Sequence, residues 1–134
     1  MHVQYVAICD HVVMGADGKP SLIGIFDHIQ AERVPVTMPR FAFVARILFT
    51  PEEAGRNYKL EVVITDPEGK ELGRPGGDLG LPPSPGVVDS FASDVPILFD
   101  MFQFNAFGRY SFVLTIDGKQ SAGVQVSVRQ AVLS

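Results

Sequence analysis

A chain of 134 residues matches the common size of one domain, and 46% apolar residues supply one packed core and exclude low-hydrophobicity disorder. Ten phenylalanines with thirteen glycines and ten prolines favour many short strands joined by turns. The net charge is −4, with no basic run anywhere, so the electrostatic footprint of a nucleic-acid binder or of a protein held on an anionic membrane is missing.

The acids are unevenly spread. Residues 1–50 hold four acids and four bases, residues 51–100 hold ten and four, and residues 101–134 hold one and three. Cys9 is the only cysteine, which leaves no intrachain disulfide and no thiolate metal cluster. The first ten residues lack a basic segment followed by a long apolar run, and no stretch approaches the length of a transmembrane helix. The expectation is one domain spanning 1–134, cytoplasmic and reduced.

Gln4 to Met14 is apolar on both parities, broken by Asp10 and His11, as in a strand covered on both faces. Gly15 to Pro20 is a turn, and Ser21 to Gln30 reads as the returning strand of an antiparallel hairpin. Val34 to Pro39 is a loop. Arg40 to Thr50 then alternates, with Phe41, Phe43, Ala45, Ile47 and Phe49 on one face. Pro51 to Asn57 is a second loop with room for one helical turn. Tyr58, Leu60, Val62 and Ile64 form the inward face of the next strand, and Asp66 to Lys70 is a tight turn.

Residues 73–86 carry five glycines and four prolines without strand periodicity, and read as the most mobile internal loop. Val87 to Ser93 reads as a short edge strand. Val95 to Phe104 is strongly apolar, with Pro96 placing its start at an edge or bulge. Tyr110, Phe112, Leu114 and Ile116 alternate, Asp117-Gly118-Lys119 turns, and Val124, Val126 and Val128 alternate in the last strand, before a tail at Ala131 to Ser134. The segments 55–66 and 108–117 echo each other, each running Gly-Arg, an alternating strand, then aspartate, as in equivalent strands of a sandwich. The pattern predicts an all-β, antiparallel two-sheet sandwich of seven to eight strands. Its expected core includes Phe41, Phe43, Ile47, Tyr58, Leu60, Val62, Ile64, Phe112, Leu114, Ile116, Val124 and Val126.

Four phrases resemble an uncharacterised bacterial family of β-sandwich, immunoglobulin-like domains: Ala7-Ile8-Cys9-Asp10, the run Gly18 to Asp27, Met38-Pro39 before a Phe/Val strand, and Gly108-Arg109-Tyr110-Ser111-Phe112 ahead of Asp117-Gly118. The resemblance implies a fold and no activity.

Asp10-His11 and Asp27-His28 repeat one dipeptide across the expected hairpin. Pairing in either of two adjacent registers sets these carboxylates and imidazoles opposite one another, the residue types of a divalent-metal or acid–base site. Period-two geometry opposes a single compact site, because adjacent strand residues point to opposite faces. Zinc takes three or four ligands, and His2 is the one spare histidine. Cys9 has apolar neighbours and reads as a buried, inert thiol. Glu52, Glu53, Glu68, Glu71, Asp78 and Asp89 are spread over several turns, as on a solvated acidic surface. No nucleophile elbow, phosphate loop or dinucleotide fingerprint is present, and no cofactor is expected.

Ala42, Val44 and Leu48 fall outside the core stripe, between and beyond Arg40 and Arg46, and an outward sheet face this apolar needs cover from a loop or from another subunit. The sequence therefore points to a non-catalytic binding or assembly module, a homo-oligomer contacting its copies through Ala42, Val44 and Leu48, with a protein as the other possible partner. The alternative is a metal-binding or hydrolytic domain built on Asp10, His11, Asp27 and His28.

Overall fold

The computed structural model describes residues 1–83 and 90–132. It is all-β, with no α-helix among the described residues; a single 3-10 turn at Pro51–Glu53 occupies the expected place. Among the described residues, ten strands form two sheets. They are β1 (His2–Met14), β2 (Pro20–Ile25), β3 (His28–Ala31), β4 (Val36–Phe49), β5 (Asn57–Thr65), β6 (Glu71–Gly73), β7 (Gly76–Gly80), β8 (Phe91–Phe104), β9 (Gly108–Ile116) and β10 (Lys119–Gln130). Sheet A has the order β2-β1-β4-β8. Sheet B has the order β3-β10-β9-β5-β6, with β7 also on β5.

Strand alternation builds the core as expected. Phe41, Phe43, Ala45, Ile47 and Phe49 of β4 meet Tyr58, Leu60, Val62 and Ile64 of β5 and Phe112, Leu114 and Ile116 of β9. Val124 packs against this core half-buried, the one expected core residue not fully enclosed. Phe41 stacks on Phe99 at 4.8 Å between ring centres and meets Phe112 edge-on at 6.1 Å, so aromatic packing joins the sheets at one end. The echoing segments are neighbours, β5 and β9, paired from Leu60–Ile116 to Thr65–Ser111. Asp66 fastens its own turn, and Asp117 ties the end of β9 to β5. Asp66 Oδ1 accepts the amides of Glu68 and Lys70, and Asp117 Oδ1 accepts that of Lys59.

Several expectations change, among them the loop at Val34 to Pro39, whose residues from Val36 onward belong to β4 and pair with β8. The segment 21–30 is two strands in two sheets: β2 pairs antiparallel with β1, and β3 runs parallel to β10, so sheet B is mixed rather than wholly antiparallel. Apolar periodicity continues through Phe26 and cannot reveal that the chain changes layers there. The segment 71–80 holds two further strands, and the described residues form ten where seven or eight were expected. β7 pairs with β5 through five residues, three of them glycine, and Gly76 lies so close to the Leu60 carbonyl that a Cβ would collide with it. Residues with no side chain give no hydrophobic alternation to read. Of the loop expected at 73–86, residues 84–86 lie outside the described residues. So do 87–89 of the short edge strand expected at 87–93, while β8 itself begins at Phe91.

Candidate functional site

The register of the first hairpin decides the fate of the Asp-His pairs. Cys9 lies opposite Ile25 and His11 opposite Ile23, which sets Asp10 level with Gly24. Neither register expected between Asp10-His11 and Asp27-His28 occurs. Asp27 and His28 lie past the end of β2, where the chain crosses to sheet B, and the Asp27 amide carbonyl bonds Ser127 on β10. His28 Nδ1 is 2.9 Å from Asp27 Oδ1 on an exposed surface, and this hydrogen bond holds the Asp27 carboxyl below the usual aspartate range. The structure therefore separates the two dipeptides, and no group of three or more His, Cys, Asp or Glu able to hold a metal occurs among the described residues.

Cys9 is fully buried, and its thiol donates to the His11 carbonyl at 3.4 Å. Burial pushes the thiol pKa up, and the adjacent Asp10 adds to the shift, so the nucleophilic thiolate is disfavoured.

Ala42 and Val44 sit on the side of β4 away from the main core, as expected, but they are 1% and 0% exposed. With Cys9 they form a second, smaller apolar cluster against which Tyr5, Val12 and Leu22 pack. The cover comes from the chain's own first hairpin. Ala42 and Val44 are thus not the open stripe the sequence pointed to; Leu48 is half-buried. Alternation from Ile8 would aim Val12 at the main core. The hairpin instead turns at Asp10 and Gly24, where Gly24 adopts φ +71°, and carries Val12 and Leu22 onto the outer cluster.

The open apolar side chains of this sheet lie around that cluster, on strand ends and edges, where neighbours such as Val13 and Met14 face opposite ways. Among the described residues, six of the nine exposed large apolar side chains lie in sheet A, so the bias is to one layer: Val13, Met14, Ile23, Ile25, Leu98 and Met101. The pairings align Ile25, Cys9, Ala42 and Leu98 in one row across the four strands. The middle two are buried, and the ends are 65% and 64% exposed. A recess of about 290 Å³ opens between Val13, Ile23 and Leu98 over Ala42, with Asp10, His11 and Arg40 at its margin. Two cross-strand ion pairs bracket the surface on the β4–β8 side. Arg46 Nη1 donates to both Asp94 oxygens at 2.9 and 2.8 Å, and Arg40 Nε lies 3.3 Å from Asp100 Oδ1. A cleft of about 360 Å³ on the other side of β8 runs between β7 and β8, over Leu60 and Ile97.

The sequence held a signal for this surface. Val95 to Phe104 is apolar on both parities, so one set of side chains had to face away from the core. Nothing in the sequence marked Tyr5, Val12 and Leu22 as the cover for Ala42 and Val44, because that depends on the turn at Gly24.

No helix of the described residues is long and apolar enough to cross a membrane. No curated protein matches the chain. Among solved structures the chain is similar to Pseudomonas fluorescens alkylpurine DNA glycosylase AlkC bound to DNA containing an abasic site analog, with a TM-score of 0.49 and 12% identity, over 92% of this chain and 30% of that one. The chain spans less than a third of that structure's length. A family model matches residues 4–129, almost the whole chain, and the chain belongs to the family of unknown function DUF6941.

Proposed function

We propose that this chain is a non-catalytic binding and assembly module of the bacterial cytoplasm whose working surface is the outer side of sheet A. The observation that carries the reading is the recess between Val13, Ile23 and Leu98. Monomeric proteins rarely leave such side chains grouped in the open, and a polar rim is the usual setting of a docking patch. The single, buried cysteine fits a reducing compartment.

The immunoglobulin-like reading of the fold belongs to the same proposal. Two layers, β1-β4-β8 and β3-β10-β9-β5 with β6 and β7, match the division of such domains. Tyr110, near the start of β9, bonds through its hydroxyl to the Ala106 amide at 3.0 Å, the geometry of a tyrosine corner. In this frame the β1–β2 hairpin elaborates the first strand, and it is this addition that shapes the recess.

An environment-sensitive apolar dye tests the working surface. At low protein concentration the folded chain should bind it, and Ile23→Glu with Leu98→Glu should abolish binding while the far-ultraviolet spectrum and thermal midpoint hold. Dye binding that survives both changes would place the exposed apolar site elsewhere.

A further inference from the structure

We infer that the occupant of the outer side of sheet A is a second copy of this chain, docked about a two-fold axis; this rests on the working surface proposed above. Charge comes first. The chain carries a net −4, and residues 51–100 carry ten acids against four bases, so two copies repel over most arrangements. Sheet A escapes this, because Asp94 and Asp100 are each paired by an arginine from the neutral first part of the chain. Asp10, at the margin of the recess, is the one acid of the sheet A strands outside an ion pair among the described residues, and a second copy brings an apolar face together with Arg40 for that carboxylate.

The row of Ile25, Cys9, Ala42 and Leu98 supplies the geometry. It has aliphatic ridges on the edge strands and buried small residues between them. A two-fold axis lying in the face, along the strands and between β1 and β4, exchanges β1 with β4 and β2 with β8. It sets Leu98 against Ile25 of the partner subunit, and Ile25 against Leu98 of the partner subunit, so each ridge meets a ridge of the other copy across the middle row. The same operation faces Arg40 with the segment of the partner subunit that holds Asp10 and His11, an attraction between opposite charges. It also faces Arg46 with Tyr5 of the partner subunit, the two residues being level in one copy. Such a contact is isologous and closes at two.

The area is adequate. Three strands of 13 or 14 residues and one of six, about 4.8 Å apart at about 3.3 Å per residue, offer roughly 700 Å² per copy. A standard stable interface takes about 800 Å² from each partner.

Sedimentation of the full chain from nanomolar to sub-millimolar concentration, run beside the dye measurement, tests this. The expected result is a monomer–dimer equilibrium in which dye is expelled as dimer forms. Leu98→Asp and Ile25→Asp should each raise the dissociation constant by at least about a hundredfold by burying an unpaired carboxylate. Both positions are exposed in one copy, so the circular-dichroism spectrum should be unchanged, and Leu72→Asp, off this face, should leave the dimer intact. A wild-type chain that stays monomeric throughout yet binds dye on this surface overturns the second-copy inference and leaves the working surface standing. A dimer indifferent to both aspartates also overturns it. Absence of both dimer and dye binding overturns the two proposals together.

Discussion

At Gly24 the backbone takes φ +71°, and a Cβ there would run into the Asp10 carboxylate. Gly24→Ala should therefore cost about 1–3 kcal/mol, measured by denaturant unfolding. Adding Asp10→Ala removes the collision but not the strained φ, so the double variant should recover part of that loss and not all. Cys9 reports on the same corner. Its thiol is buried and held protonated, so a thiol reagent should modify the native protein slowly and at a rate set by opening of the hairpin; Gly24→Ala should speed it. Asp27 lies fully exposed, with its pKa lowered chiefly by the His28 hydrogen bond. A lowered carboxylate pKa contributes stability above the ordinary aspartate value, and that contribution is lost as pH falls through the folded value, below about pH 4. Asp27→Asn should alter acid unfolding only in that window, and slightly.

At the scale of elements, the β1–β2 hairpin and the β6–β7 edge show two ways in which local sequence hides structure. Past Cys9, β1 pairs with β2 and no longer with β4, so this ribbon depends on Val12 and Leu22 for anchorage. Leu22→Ala should cost about 1–2 kcal/mol, and should raise hydrogen exchange in residues 10–14 and 20–24 before it does so in β4. In the β6–β7 edge the chain approaches β5 closely enough for the Val62 amide to bond the Pro75 carbonyl at 2.8 Å. Gly76→Ala should push β7 off β5, seen as lost amide protection across residues 76–80 with the β5–β9 ladder retained.

For the whole molecule, the enclosed core between the sheets is the main source of stability. Phe112 is fully buried, facing Phe41 and Phe99, and Phe112→Ala should lower unfolding free energy by about 3–5 kcal/mol. The Arg46–Asp94 pair is different in kind. It is part-buried and bidentate on the outer side of sheet A, so Asp94→Ala leaves a half-buried guanidinium without its partner; the loss in thermal midpoint should exceed that of Asp100→Ala at the exposed Arg40 pair.

Sequence alone determined the all-β class, the inward faces of β4, β5, β9 and β10, and the turns at Asp66 and Asp117. Each of these follows from side-chain alternation, from Asp66 bonding its own turn, or from the positive φ that Asp117 and Gly118 adopt, which are properties of a few neighbouring residues. Tertiary structure alone decided three things: the passage of the chain between sheets at Phe26, the pairing of a glycine-rich strand, and the cover over Ala42 and Val44. The first separated Asp27 and His28 from Asp10 and His11, because register and layer are set by which strands meet across the sandwich. The last moved the open apolar surface from Ala42 and Val44 to Ile23, Ile25 and Leu98. Period two states that a side chain faces outward; whether water, a hairpin or another molecule lies there depends on how distant segments fold over it.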